Sequence, residues 1–217
     1  MPENPVIAII MATLLEAEPL IEALALQKDE DRPCPTFMSE DIVILISGMG
    51  KANAAMATTC ACLRFMPKLI CNLGAAGALK ETLPLGSIHQ IGKVIEPDRP
   101  ELLNSKLHVF IPRTLPDFPN AVLATHDRPI KTLEERRATA IHADLCDMEG
   151  AAFAQTAENF GVPCLLFKFV SDTPHPGEQK NIVNRIKDLR TPFCHFFLDS
   201  VRKKLQPGNR GKNSGVI

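Results

Sequence analysis

The sequence predicts an α/β fold, a three-layer αβα sandwich with helices on both faces of a twisted sheet. Three observations predict it. Short apolar runs alternate with segments of helical periodicity, and the order strand, helix, strand, helix, strand builds a helix–sheet–helix stack. The break after the second apolar run, Ser47-Gly48-Met49-Gly50, is glycine-rich, as a tight strand-to-helix turn requires. With 217 residues, 45% of them hydrophobic, the chain has the natural size of one domain with a large core. We assign that domain to residues 1–205 and expect residues 206–217, rich in Gly, Asn and Lys, to be a disordered tail.

In order, Val6 to Met11 reads as the first strand and Leu14 to Leu26 as a helix with acids and Pro19 near its start. Gln27 to Asp41 is polar and reads as a loop or edge hairpin around Thr36 to Met38. Ile42 to Ile46 is a second strand, leading through the glycine turn into an alanine-rich helix from Ala52 to about Arg64. Leu69 to Asn72 is a third strand, with a second small-residue turn expected at Gly74-Ala75-Ala76-Gly77. Leu85 to Val94, Leu107 to Ile111 and Val122 to Thr125 read as further strands, separated by a proline-rich excursion. Leu133 to Ala140 is a short charged helix. Asp147 and Glu149 precede another helix, which Gly161 ends and Pro163 keeps from continuing. Cys164 to Val170 is a buried strand, apolar except for Lys168, and Ser171-Asp172 sits at its end. Thr173 to Gly177 reads as a rigid lid or pocket wall. Asn181 to Lys204 has helical spacing with a break or kink expected at Pro192.

Composition narrows the function. A formal net charge of −1 gives no global attraction to nucleic acid or anionic membrane, and the absence of Trp and Tyr removes an aromatic platform for bases. The seven cysteines contain no CxxC pair and fit reduced thiols in a cytoplasmic protein. The N-terminal stretch carries acids and prolines where a secretory signal would be basic, and its apolar run is too short to span a bilayer. His142 and Cys146 lie four apart, but no further ligands accompany them, so no metal site and no cofactor is expected.

Three carboxylates stand where ligands bind in open α/β sheets, near the carboxyl ends of strands. Glu16 follows the first strand, Glu149 opens a helix and Asp172 ends the strand after it. Taken singly, each reads more readily as a helix-dipole acid, a cap or a turn residue than as a catalytic group. Neither glycine segment carries phosphate-loop spacing.

Together these blocks resemble the nucleoside phosphorylase/nucleosidase family, and within it the hydrolases of methylthioadenosine, S-adenosylhomocysteine and futalosine. The blocks are Met11-Ala12 leading to Glu16, Ser47 to Ala55, Asn72 to Gly77, Asp147-Met148-Glu149, Gly161-Val162-Pro163 and Ser171-Asp172, in family order up to about Leu205. The resemblance implies a mixed central sheet, a small-molecule purine nucleoside as substrate and a homodimer. It implies that Glu16 holds the attacking water and that Asp172 is the general acid at purine N7, oriented by Ser171. Glu149 would bind ribose hydroxyls, Met148 would pack on the sugar, and Gly48, Gly74, Ala75, Ile130 and Lys168 would contact substrate. Ala75 stands where the nucleosidases usually have serine, Lys168 where they have arginine, and Pro129-Ile130 where an aromatic stacks on the base. The Asn72-Leu73-Gly74-Ala75 segment lacks the arginine and serine with which the family's phosphorylases clamp phosphate, which favours water as nucleophile. Phosphorolysis and non-catalytic nucleoside binding are the alternatives.

Overall fold

The computed structural model describes residues 7–29, 33–99, 106–175 and 181–205. The expected tail at 206–217 and the end of the expected lid, Pro176-Gly177, lie outside the described residues.

The described strands are β1 (Ile7–Met11), β2 (Gln27–Lys28), β3 (Thr36–Met38), β4 (Ile42–Ile46), β5 (Leu69–Ala78), β6 (Ile88–Glu96), β7 (His108–Phe110), β8 (Asn120–Thr125), β9 (Leu145–Asp147) and β10 (Cys164–Asp172). The helices are α1 (Leu14–Ala23), α2 (Lys51–Phe65), α3 (Leu133–Ala140), α4 (Gly150–Asn159) and α5 (Ile182–Phe196), the last running into a π-helical stretch, Phe197–Arg202.

One mixed sheet of ten strands forms the middle layer. β1 lies parallel between β4 and β5, and β3 and β2 extend the β4 edge antiparallel. On the other side the sheet closes on itself. β5 pairs with β10, β10 with β6, β6 with β8, β8 with β9, and β9 returns to β5. Short β9 completes this ring, and its three residues are too few for periodicity to signal a strand.

Both faces of the sheet are covered, and side-chain alternation along a strand assigns each residue to a face. Ala8 and Ile10 of β1 pack with Ala57 of α2 and Phe153 and Ala157 of α4. Ile9 and Met11 pack with Leu20 of α1 and Phe193 and Phe197 at the end of the chain. Each fully buried aliphatic or aromatic side chain contributes on the order of 1.5–3 kcal/mol of transfer free energy. This explains the near-continuous apolar runs of β1, β4 and β10, which have no solvent face.

Two prolines lie inside helices. Pro19 has no N–H for the Leu15 carbonyl four residues earlier. Arg190 of α5 donates to that carbonyl from Nη1 at 2.6 Å, restoring the lost bond and tying α5 to α1. Of the break or kink expected at Pro192, the break is absent: α5 runs across that residue and leaves α-helical geometry only at Phe197. Among the described residues, no helix is long and apolar enough to cross a membrane.

Candidate active site

The site forms where β5 changes partners. Along one edge β5 pairs with β1 up to Asn72 and with β9 only from Gly77. Between those points the edge carries no neighbouring strand, and β1 and β9 splay apart to leave a cavity. Its lining includes Glu16, Ala75, Met148, Glu149 and Asp172. The Gly74–Gly77 segment is therefore part of β5 and not a turn. Its residues are small because two carboxylates crowd against it. A methyl group on Gly74 would lie 3.0 Å from Glu16 Oε1, and one on Gly77 3.2 Å from both oxygens of Asp172.

Glu16 sits in the first turn of α1, which Thr13 caps. Thr13 Oγ1 donates to Glu16 Oε2 at 2.6 Å. The Ala75 N–H, on the unpaired edge of β5, donates to Oε1 at 2.9 Å. Both carboxylate oxygens are thus fixed at the cavity wall, with the side chain nearly removed from solvent.

Asp172 ends β10 opposite Gly77. Ser171 Oγ donates to its Oδ1 at 2.8 Å. Its Oδ2 is paired with the guanidinium of Arg136, whose Nη1 also donates to the Ala78 carbonyl at 2.8 Å. Arg136 is 3% exposed, the one buried residue of α3, and lines the cavity. Its Nε is buried without a hydrogen-bond partner.

Glu149 stands at the head of α4. The Gly50 N–H donates to its Oε1 at 2.8 Å and the Met148 N–H to Oε2 at 3.3 Å. The glycine turn does bring an amide to an oxygen, with φ near +84° at Gly48 and +100° at Gly50, but that oxygen belongs to Glu149. Burial, and then the charge of Asp147, push the Glu149 carboxyl up to about 7, against the opposing pull of Lys168 and the Gly50 N–H.

Behind the cavity lies a second charged pair. Lys168 Nζ is 2.9 Å from Asp147 Oδ2, and both side chains are shut off from solvent. Burial pulls the lysine towards neutrality. The charges of Asp147 and Glu149 and the hydrogen bond to Asp147 outweigh it and hold Lys168 above the ordinary lysine range. Thr125 Oγ1 at 2.7 Å and the Gly150 N–H at 2.9 Å complete the Asp147 carboxylate. Asp147, with its bond to the Gly150 N–H, thus holds the start of α4.

Of the residues anticipated from sequence, Glu16, Ala75, Ile130, Met148, Glu149, Ser171 and Asp172 come together on the cavity lining. Lys168, Gly48 and Gly74 stand behind it. Lys168 supports Asp147, Gly74 backs Glu16, and Gly48 donates its N–H to the Ala12 carbonyl at 3.0 Å. Sequence reasoning missed Arg136, Thr13 and Thr125. The Thr132–Glu135 capping box was visible as a helix start. Nothing in the adjacent pair Arg136-Arg137 said which one turns inward. Among the described residues, no group of three His, Cys, Asp or Glu is placed to hold a metal ion.

Comparison with known proteins gives a consistent picture. The family model described as Phosphorylase superfamily matches residues 6–125 and 100–191. The 5'-methylthioadenosine/S-adenosylhomocysteine nucleosidase of Staphylococcus haemolyticus is 30% identical over 161 residues, 62% of this chain and 69% of that protein. The fold matches the Helicobacter pylori 5'-methylthioadenosine/S-adenosylhomocysteine nucleosidase solved with butyl-thio-DADMe-Immucillin-A, with a TM-score of 0.82 at 18% identity over 93% of this chain and 99% of the other. It matches native futalosine hydrolase from the same organism with a TM-score of 0.80 at 18% identity, over 92% and 98% of the two chains.

Proposed function

The chain belongs to the phosphorylase superfamily, and from that membership we propose that it is an N-ribosyl hydrolase. It releases the free base from a purine nucleoside with a modified 5′ position, of the methylthioadenosine, S-adenosylhomocysteine or futalosine kind. One observation carries the reading. Glu16, Glu149 and Asp172 come from three different elements, line one cavity and are each held by protein donors. Such fixed carboxylates suit a reaction in which positive charge develops on a sugar while a base departs.

In this reading Asp172, ionised while paired with Arg136, takes up a proton when the nucleoside binds and gives it to N7 as the C1′–N9 bond breaks, and the bonding electrons leave with the base. Glu16 orients the water whose oxygen bonds to C1′ and takes up its proton. General acid–base help of this kind contributes roughly 10²–10⁴-fold each. Glu149 accepts from the ribose hydroxyls and Met148 covers the sugar face. Water rather than phosphate is the nucleophile, because a bound phosphate requires several charged donors. Among the described residues lining the cavity, Arg136 is the one cation, and a single guanidinium falls short of that set.

The protein works as a homodimer in a reducing, cytoplasmic compartment. Met49, Met56 and Leu63 recur every seven residues along α2 and its approach, exposed by 65%, 38% and 67%, and this apolar stripe begins at the cavity mouth. All seven cysteines are free thiols.

A base-release assay on purified protein tests the proposal. Methylthioadenosine, S-adenosylhomocysteine, futalosine, adenosine and inosine are offered in turn, and products are identified by mass. Free purine from at least one 5′-modified nucleoside is expected. No base from any of them, with tight binding retained, would make the protein a nucleoside binder.

A further inference from the structure

We propose that Arg136 selects the base, and that the site takes a 6-oxopurine in preference to a 6-aminopurine. The inference rests on the proposed position of Asp172 at N7 and names the atom beside it. In a purine, the substituent at C6 is the hydrogen-bonding neighbour of N7 on the same ring edge. In the protein, the Asp172 carboxylate has two side-chain partners, Ser171 at Oδ1 and the Arg136 guanidinium at Oδ2, and the guanidinium is the charged one. If Asp172 meets N7, Arg136 faces the six-position.

A guanidinium has five N–H donors and no acceptor. Oxygen at C6 accepts from it, and an amino group at C6 opposes donor with donor. Arginine reads the O6/N7 edge of guanine by this rule, while glutamine and asparagine read the N6/N7 edge of adenine. Arg136 is equipped for the former. It lines the cavity, and Ala78 and Asp172 accept from one N–H each on Nη1 and Nη2, which leaves further Nη donors on the guanidinium. The pairing also suits the chemistry. When the C1′–N9 electrons leave with a 6-oxopurine, negative charge reaches O6, and a guanidinium there stabilises the departing base as Asp172 protonates N7.

The test compares nucleosides that differ only at the six-position, methylthioinosine with methylthioadenosine and inosine with adenosine. The readouts are kcat/KM for base release and, independently, calorimetric binding of free hypoxanthine and adenine. The native protein is expected to favour the 6-oxopurine by on the order of tenfold to a hundredfold in both. Arg136→Gln should cut or invert the ratio, since a glutamine amide can accept from N6–H₂. Equal or better use and binding of adenine by the native protein would overturn the assignment, whether or not the variant folds. So would an Arg136→Gln protein that folds and keeps the native ratio. Hypoxanthine bound more tightly than adenine, with no base released from any nucleoside, would sustain the Arg136 assignment and remove the nucleosidase reading.

Discussion

Gly77 stands directly opposite Asp172 in the β5–β10 register, and a methyl group in its place would lie 3.2 Å from both carboxylate oxygens. That spacing is tighter than ordinary carbon–oxygen contact, and Cys146 Sγ closes the other side at the same distance. Gly77→Ala should therefore displace Asp172 and lower kcat by at least about tenfold. Gly161 provides the contrast. Its φ of +66° lies in the left-handed region, but nothing lies within 4 Å of an added methyl. Gly161→Ala should cost about 1–2 kcal/mol of stability and leave turnover unchanged. Urea unfolding and steady-state kinetics on both variants check the contrast, and equal activity in the two would break the link between Gly77 and the acid.

The raised carboxyl of Glu149 makes stability depend on pH with a definite sign. Burial and the charge of Asp147 push folded Glu149 up to about 7 from its ordinary 4.5. Between those values the unfolded chain has lost the proton that the folded protein keeps, so stability falls as pH rises through this window and levels off above it. The full contribution is on the order of 3 kcal/mol. Glu149→Gln should flatten that slope, measured as Tm at intervals from pH 4.5 to 8. A variant with the native slope would place the titration elsewhere.

Lys168→Met would strand Asp147 as a buried, uncompensated charge. Breaking such a pair from one side costs about 3–5 kcal/mol, whatever the net worth of the intact pair. Denaturant unfolding should show a loss of that size. Lys168→Met combined with Asp147→Asn should recover much of it, and a loss that is simply additive would contradict the pairing.

Asp172→Asn removes the proposed acid and also the charge that balances Arg136. Turnover should fall by at least about 10²-fold, and Tm should fall with it. Adding Arg136→Gln should restore stability without restoring turnover. Glu16→Gln, which keeps the size of the side chain, should leave ligand binding measurable and stop hydrolysis. Binding and turnover measured side by side check both, and a variant with near-native turnover would lose its assigned role.

The layers of the fold were legible because β1, β4 and β10 are near-continuous apolar runs that match burial on both faces, and the helices carry helical periodicity. Two features of the sheet were not. β9 is three residues long, and closure of the sheet through it depends on pairings between distant segments that leave no local signal. The Gly74–Gly77 run looked like a turn because glycine marks turns. Here it marks strand that must stay thin where Glu16 and Asp172 press against it. The carboxylates were legible as residues near strand ends. Their supports were not, because Thr13, Arg136 and the amide of Ala75 act by position in space. Lys168 was visible as one charge in an apolar strand, but its partner Asp147 became evident only once β9 and β10 were placed.

The most direct measurement is the identity of the sugar released by the native protein from its best nucleoside at saturating inorganic phosphate. Free sugar, formed at a rate independent of phosphate, is the expected result and makes water, held at Glu16, the nucleophile. Sugar 1-phosphate, formed only when phosphate is present, would contradict it and make the protein a phosphorylase.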